Sequence, residues 1–189
     1  MGNEKINILR FLIENQDKTY SIRQIALQRR INYKSAYINI KTLAKEGVIS
    51  VQKQGNTTNC LFNQKWNASV FQVEYARLQN LLKNKNFLVI YNRLARINAQ
   101  FILLLFGSYV KGQATKHSDI DLLLITNDPK PIEREIHLIP LKIHLTHITY
   151  ENFNSMLKSK EFTVVSEAIK KNIMLFGVEA YYRLIKNAQ

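Results

Sequence analysis

The chain has 189 residues, 46% of them apolar and 22% charged, a composition that argues against disorder and is long enough for one large domain or two small ones. Lys and Arg outnumber Asp and Glu by 27 to 14, for a net charge of +13 and a pI near 9.8, which points to a polyanionic partner rather than to solubility charge alone. The single cysteine, Cys60, excludes an internal disulfide and any multi-cysteine zinc site and suits a reducing, cytoplasmic location.

The N-terminal run MGNEKINILRFLIEN is interrupted by Glu4, Lys5, Arg10 and Glu14, so it reads as an amphipathic helix and not as a signal peptide. Its apolar positions Ile6, Ile8, Leu9, Phe11, Leu12 and Ile13 predict a buried face over residues 5–15. In SIRQIALQRR, Ser21 followed three residues later by Gln24 is a capping-box signature, opening a second helix with Ile22, Ile25 and Ala26 inward. A third helix follows in YKSAYINIKTLAKEG, with Ala36, Ile40 and Leu43 as its core stripe and Gly47 as its stop. Next, VISVQKQGNTTNCLFN alternates like two strands around a Gly-Asn turn.

Three helices and a hairpin in about 60 residues resemble the winged helix-turn-helix pattern of small prokaryotic regulators, most closely between Ile31 and Ile49. The resemblance implies double-stranded DNA as a partner, with the third helix in the major groove and the hairpin beside the backbone. Tyr33, Lys34, Ser35, Tyr37, Asn39 and Lys41 are expected to face outward and supply donors for phosphates and base edges. Arg29 and Arg30 at the end of the second helix, and Lys53 on the hairpin, are further phosphate candidates. Residues 1–65 hold 11 Lys and Arg against four Asp and Glu, a net of +7; the other 124 residues carry only +6. Protein docking is the alternative use of such a module.

From Asn67 the pattern changes. SVFQVEYARLQNLLKNK predicts a strong amphipathic helix, with Val70, Val73, Leu78, Leu81 and Leu82 apolar, and FLVIYNRLARINA predicts another. The first reads as a connecting helix over 66–84, whose stripe at 69–84 is a candidate homodimer seam, with packing inside the chain as the alternative. The longest apolar run beyond it, FILLLF, is far too short to span a membrane.

That run, AQFILLLF, reads as a strand buried on both faces and ends in Gly107-Ser108. Glycine permits a tight turn and close approach of a ligand to the backbone, and the helix expected from Ser108 would offer free N–H groups to an anion. A second strand, DIDLLLIT, opens with Asp119 and Asp121, which project to one face. Two like charges held together raise each other's pKa, a penalty that a divalent cation removes. The pair beside a phosphate-binding turn therefore points to a metal–nucleotide site, against the plainer alternative of a helix cap or surface position.

The run FGSYVKGQATKHSDIDLLL resembles the signature of the DNA polymerase β superfamily of nucleotidyltransferases, and in particular its minimal nucleotidyltransferase domains, over residues 85–189. Some members of that family are antitoxins that partner HEPN-domain toxins, and others carry a winged helix ahead of the same domain. The resemblance implies a site in which Gly107 and Ser108 hold the triphosphate of ATP or another NTP and Asp119 and Asp121 hold Mg²⁺. Lys111 would add charge for the phosphates, and Tyr109 replaces a commoner arginine. Members that are active place NMP on a hydroxyl with the help of a third carboxylate on a later strand. The strand expected here, LIPLKIHLTHIT, has no Asp or Glu, and the acidic position falls near His144 or Thr146.

Lys142, His144 and Thr146 share one face of that strand. His144 is open to three readings: a base, a metal ligand, or a polar residue on a retired site. Glu133 or Glu135, from what reads as a preceding loop, is another source of the missing acid. His117 is either a metal ligand or a solvated residue beside the acids. The expected fold class is α+β (mixed α/β): residues 1–65 a winged helix, 66–84 a connecting helix, 85–189 a small mixed sheet with helices and a short final strand, IMLFG. Two functions compete, a DNA-binding transferase and a non-enzymatic regulator or antitoxin-type partner with a degenerate domain.

Overall fold

A computed structural model of the chain describes residues 2–55, 57–158 and 163–188. Contacts divide the chain into two compact units, Met1–Val73 and Glu74–Gln189. The fold class is α+β, as the sequence predicts.

In the first unit the order is α1 (Gly2–Glu14), β1 (Tyr20–Ser21), α2 (Ile22–Arg29), α3 (Tyr33–Lys45), β2 (Ile49–Gln54) and β3 (Thr57–Phe62), and α4 (Ala68–Leu81) begins in it. Local chemistry sets these boundaries. The Ser21/Gln24 capping box forms in full, and the Asn32 side chain accepts from the Lys34 N–H at 2.8 Å to start α3. Arg30 closes α2 in the left-handed region at φ 53°, its N–H donating to the carbonyls of Ala26 and Leu27. The three strands pair antiparallel in the order β1-β3-β2. Asn56, half of the expected Gly-Asn turn, lies outside the described residues. Ile8, Leu9, Leu12, Ile25, Ala36, Ile40 and Leu43 are buried, on the stripes expected of α1 to α3.

α4 runs through the boundary between the units and lies within the connecting helix expected over residues 66–84. Of the apolar stripe expected along it, Val70, Val73 and Leu78 are buried and Leu81 and Leu82 half-buried.

The second unit continues with α5 (Lys85–Leu94), β4 (Ile102–Phe106), α6 (Ser108–Lys111), β5 (Ile120–Ile125), α7 (Lys130–His137), β6 (Ile143–Ile148), α8 (Tyr150–Lys158), α9 (Val164–Lys170), β7 (Ile173–Phe176) and α10 (Val178–Ala188). Its sheet has the order β6-β5-β4-β7; β4 pairs antiparallel with β5 and β7, while β5 and β6 are parallel. Every residue of β4 is buried, as a strand covered on both faces requires. Parallel neighbours need a crossover, and here it is α7, which buries Ile132 and Ile136. Glu133 and Glu135 therefore stand on a helix and not on the loop the sequence suggests. No helix among the described residues is long and apolar enough to cross a membrane.

The second unit also buries an ion pair. Glu74 and Arg77 on α4 meet at 2.6 Å with side chains 1% and 4% exposed. Tyr182 of α10 donates to Glu74 at 2.6 Å, and Arg77 donates to the carbonyl of Asn172. Asn172 is itself buried and donates to the Ala168 carbonyl at 2.7 Å. Buried charges persist when paired and hydrogen-bonded in this way. Burial, the charge of Glu74 and the hydrogen bond to it push the Tyr182 hydroxyl far above the ordinary tyrosine value, so it stays a donor.

Candidate nucleotide site and basic helix

Phe106, the last residue of β4, stands opposite Asp121 in the antiparallel register, so the turn that follows β4 reaches the acids of β5. Gly107 has φ 70° and ψ −146°. A Cβ built there would fall 2.2 Å from Asp121 Oδ2, so only glycine allows both the turn and the carboxylate packed on it. Ser108 then begins α6, a single turn, closed by the Lys111 N–H to the Gly107 carbonyl at 3.1 Å. The loop before β5 is folded by Ser118, whose hydroxyl accepts from the Thr115 N–H at 2.8 Å. It delivers Asp119 to the same end of the sheet.

The parallel register sets His144 beside Asp121. His144 Nδ1 lies 3.4 Å from Asp121 Oδ1, and Lys142 Nζ lies 3.2 Å from Asp119 Oδ1. Of the two positions near which the resemblance implies a third carboxylate, His144 stands beside Asp121 and Thr146 beside Leu123, and a lysine stands on the first acid. Glu135 is engaged with Arg93 at 3.2 Å. Glu133 lines a cavity of about 440 Å³ together with His137 and His144. Among the described residues no group of three His, Cys, Asp or Glu side chains could hold a metal ion. The two-metal centre that the resemblance implies does not fit this residue set: it lacks the third acid, and an ammonium occupies the approach to the first.

Lys111, expected to meet phosphate, forms an ion pair with Glu167 of α9. Tyr109 packs edge-on against Phe87, with ring centroids 5.3 Å apart, which accounts for an aromatic in place of a basic residue. His117 is exposed and lines a cavity of about 270 Å³ with Asn86, Tyr109, Lys116, Ser118 and Lys142. The part played by Lys142 escapes the sequence reading, although the i, i+2 alternation that groups it with His144 is the signal for it.

In the first unit, Tyr33, Lys34, Tyr37 and Lys41 recur at three- and four-residue steps along α3 and are all exposed. Lys41 Nζ sits 4.8 Å above the Tyr37 ring. Arg30 and Lys53 are also exposed. Ser35 is half-buried and donates to Glu4 of α1. Asn39 does not face outward: it is buried, and its amide donates to the Ser35 carbonyl at 2.9 Å. Arg29 is half-buried, with its Nε buried and without a hydrogen-bond partner. A cavity of about 660 Å³ opens beside α3, lined by Ser21, Arg23, Leu27, Tyr33 and Thr58 among others; nothing in the sequence pattern announces it.

No curated protein and no solved structure matches the chain. A family model described as a nucleotidyltransferase domain matches residues 92–177. That span begins within α5 and ends at Gly177, directly after β7, so it contains the whole four-stranded sheet, the Gly107-Ser108 turn and both aspartates. The match lies wholly within the second unit.

Proposed function

We propose that this chain is a DNA-binding regulator in which a winged-helix unit is joined to a nucleotidyltransferase domain that binds a nucleoside triphosphate. The nucleotide reading is carried by one observation, the packing of the Asp121 carboxylate on Gly107, which unites the glycine turn with the acids at one end of the sheet. Backbone N–H groups of the turn would meet the phosphates, and Lys116, in the adjoining cavity, adds positive charge. Calorimetric titration of ATP, GTP, CTP and UTP, in magnesium and in EDTA, tests it. Binding of at least one nucleotide, lost in Gly107→Ala, is expected; no binding of any of the four in either buffer refutes it.

The DNA reading is supported by the basic, aromatic face of α3 and by Lys53 on the hairpin. Replacing Lys34, Lys41 or Lys53 by Ala should weaken duplex binding and lower the slope of log K against log salt by about one per lysine. Wild-type affinity and slope in all three variants would leave protein docking as the use of the module.

A second reading, nucleotidyl transfer, is favoured by the retention of both aspartates. In it a hydroxyl of a protein, RNA or small molecule attacks the α-phosphorus, the new O–P bond replaces the bond to the β-phosphate oxygen, and pyrophosphate leaves. The hydroxyl proton passes to His144, which stands beside Asp121 in the parallel register. Covalent label from α-³²P-NTP on an acceptor, absent in Asp121→Asn, would establish this reading in place of the first.

A further inference from the structure

The acids of the sheet end already have partners, one from β6 and one from the residue just before it. Parallel pairing aligns Ile120 with Ile143 and Asp121 with His144, so Lys142, one residue before β6, falls beside Asp119, one residue before β5. The two contacts, 3.2 Å from Lys142 to Asp119 and 3.4 Å from His144 to Asp121, repeat at the two-residue spacing of a strand face. A carboxylate pair that would otherwise need an external cation is matched, acid for base, by side chains of the same sheet.

We infer that Lys142 and His144 are tethered replacements for divalent cations, so that Asp119 and Asp121 do not gather a metal centre in this protein. A hard divalent ion needs free carboxylate oxygens and tolerates no ammonium within its coordination distance. Lys142 takes up an Asp119 oxygen and would repel the ion; a histidine at 144 withholds the third carboxylate that would close the site. Lys142 also lines the 270 Å³ cavity with Lys116 and His117, so positive charge continues from the acids into the adjoining pocket. An anionic ligand approaching this end of the sheet meets acids that already have basic side chains beside them. The nucleotide proposed above would be held by the turn and by these bases without a bridging metal. To that extent the inference deepens the nucleotide reading, although its test needs no nucleotide.

The test is titration of the full chain with Mn²⁺ alone, followed by the electron paramagnetic resonance of the free ion. Wild type, Lys142→Ala, and the double variant Lys142→Ala/His144→Asp are compared. Both side chains are largely exposed, 78% and 66%, so neither substitution touches the core, and circular dichroism verifies the fold of each. The expected result is no saturable binding to wild type at millimolar Mn²⁺. The double variant should bind at least ~10-fold more tightly, because a third acid is supplied and the ammonium removed. Lys142→Ala alone should fall between them, and adding Asp119→Asn to the double variant should abolish the gain. Saturable binding to wild type as tight as to the double variant would overturn the inference. So would failure of the folded double variant to bind, since the two bases would then not be what keeps the metal out. If the proposed nucleotide binding fails while this pattern appears, the nucleotide reading falls and the tethered bases stand.

Discussion

Two acid–base pairs in the second unit share their chemistry and differ in their surroundings. Glu74–Arg77 is 2.6 Å apart and almost wholly buried, with a further hydrogen bond from Tyr182 to Glu74 and from Arg77 to the Asn172 carbonyl. Asp119–Lys142 is 3.2 Å apart with both side chains more than half exposed, at 51% and 78%. The first pair cannot exchange partners without leaving a charge in the core. The second can be rearranged at little cost to the fold. A buried pair fixes how helices assemble, whereas an exposed pair at the mouth of a sheet is available to a ligand.

The sharpest way to break this contrast is to remove one partner from each pair. Glu74→Ala strands the Arg77 guanidinium in the core and should cost about 3–5 kcal/mol. Hydrogen exchange at the amides of β4 and β5 would read the loss, and protection equal to wild type would refute the structural role. Gly107→Ala comes next: a Cβ in the left-handed region, against Asp121, should cost about 1–3 kcal/mol in the same measurement. Lys142→Ala should change stability by no more than about 1 kcal/mol, because both groups of its pair keep their hydration.

The smallest effect lies in the first unit. Burial works to raise the Glu46 carboxyl, but hydrogen bonds from Lys5, Ser69 and Asn67 and the charge of Lys5 outweigh it and hold the group below its ordinary value. A depressed carboxyl contributes stability above its unfolded pKa and loses it as pH falls through the folded value. Unfolding of the first unit, followed by the fluorescence of Trp66, the chain's one tryptophan, should therefore weaken on acidification. Glu46→Gln should flatten that acid limb; an unchanged limb would exclude Glu46 as its source.

What the sequence discloses depends on how far apart the partners lie. The Ser21/Gln24 cap, the core stripes of α1 to α3 and the continuous apolar strands are set by neighbours within a few residues, and they are legible. The proximity of Gly107 and Asp121 is legible too, because a strand, a turn and a second strand leave little freedom. The Glu74–Tyr182 bond spans 108 positions, and nothing local separates Glu74 and Arg77 from the solvated charges of an ordinary amphipathic helix. The expectation for Asn39 fails for a related reason: a polar residue beside the core stripe can be buried when its amide returns to a carbonyl one turn earlier. Lys111 reads as a free cation because Glu167, its partner, is 56 residues away.

The parallel pairing of β5 and β6 also constrains how this protein can diverge. Side chains alternate along β6, so the crossover through α7 decides which of two sets meets the acids. A slip of β6 by one residue against β5 would turn its two faces over. Ile143 and Leu145 would then face the aspartates, and Lys142 and His144 would turn to the opposite face. Such a slip would erase the site while leaving every motif in the sequence intact.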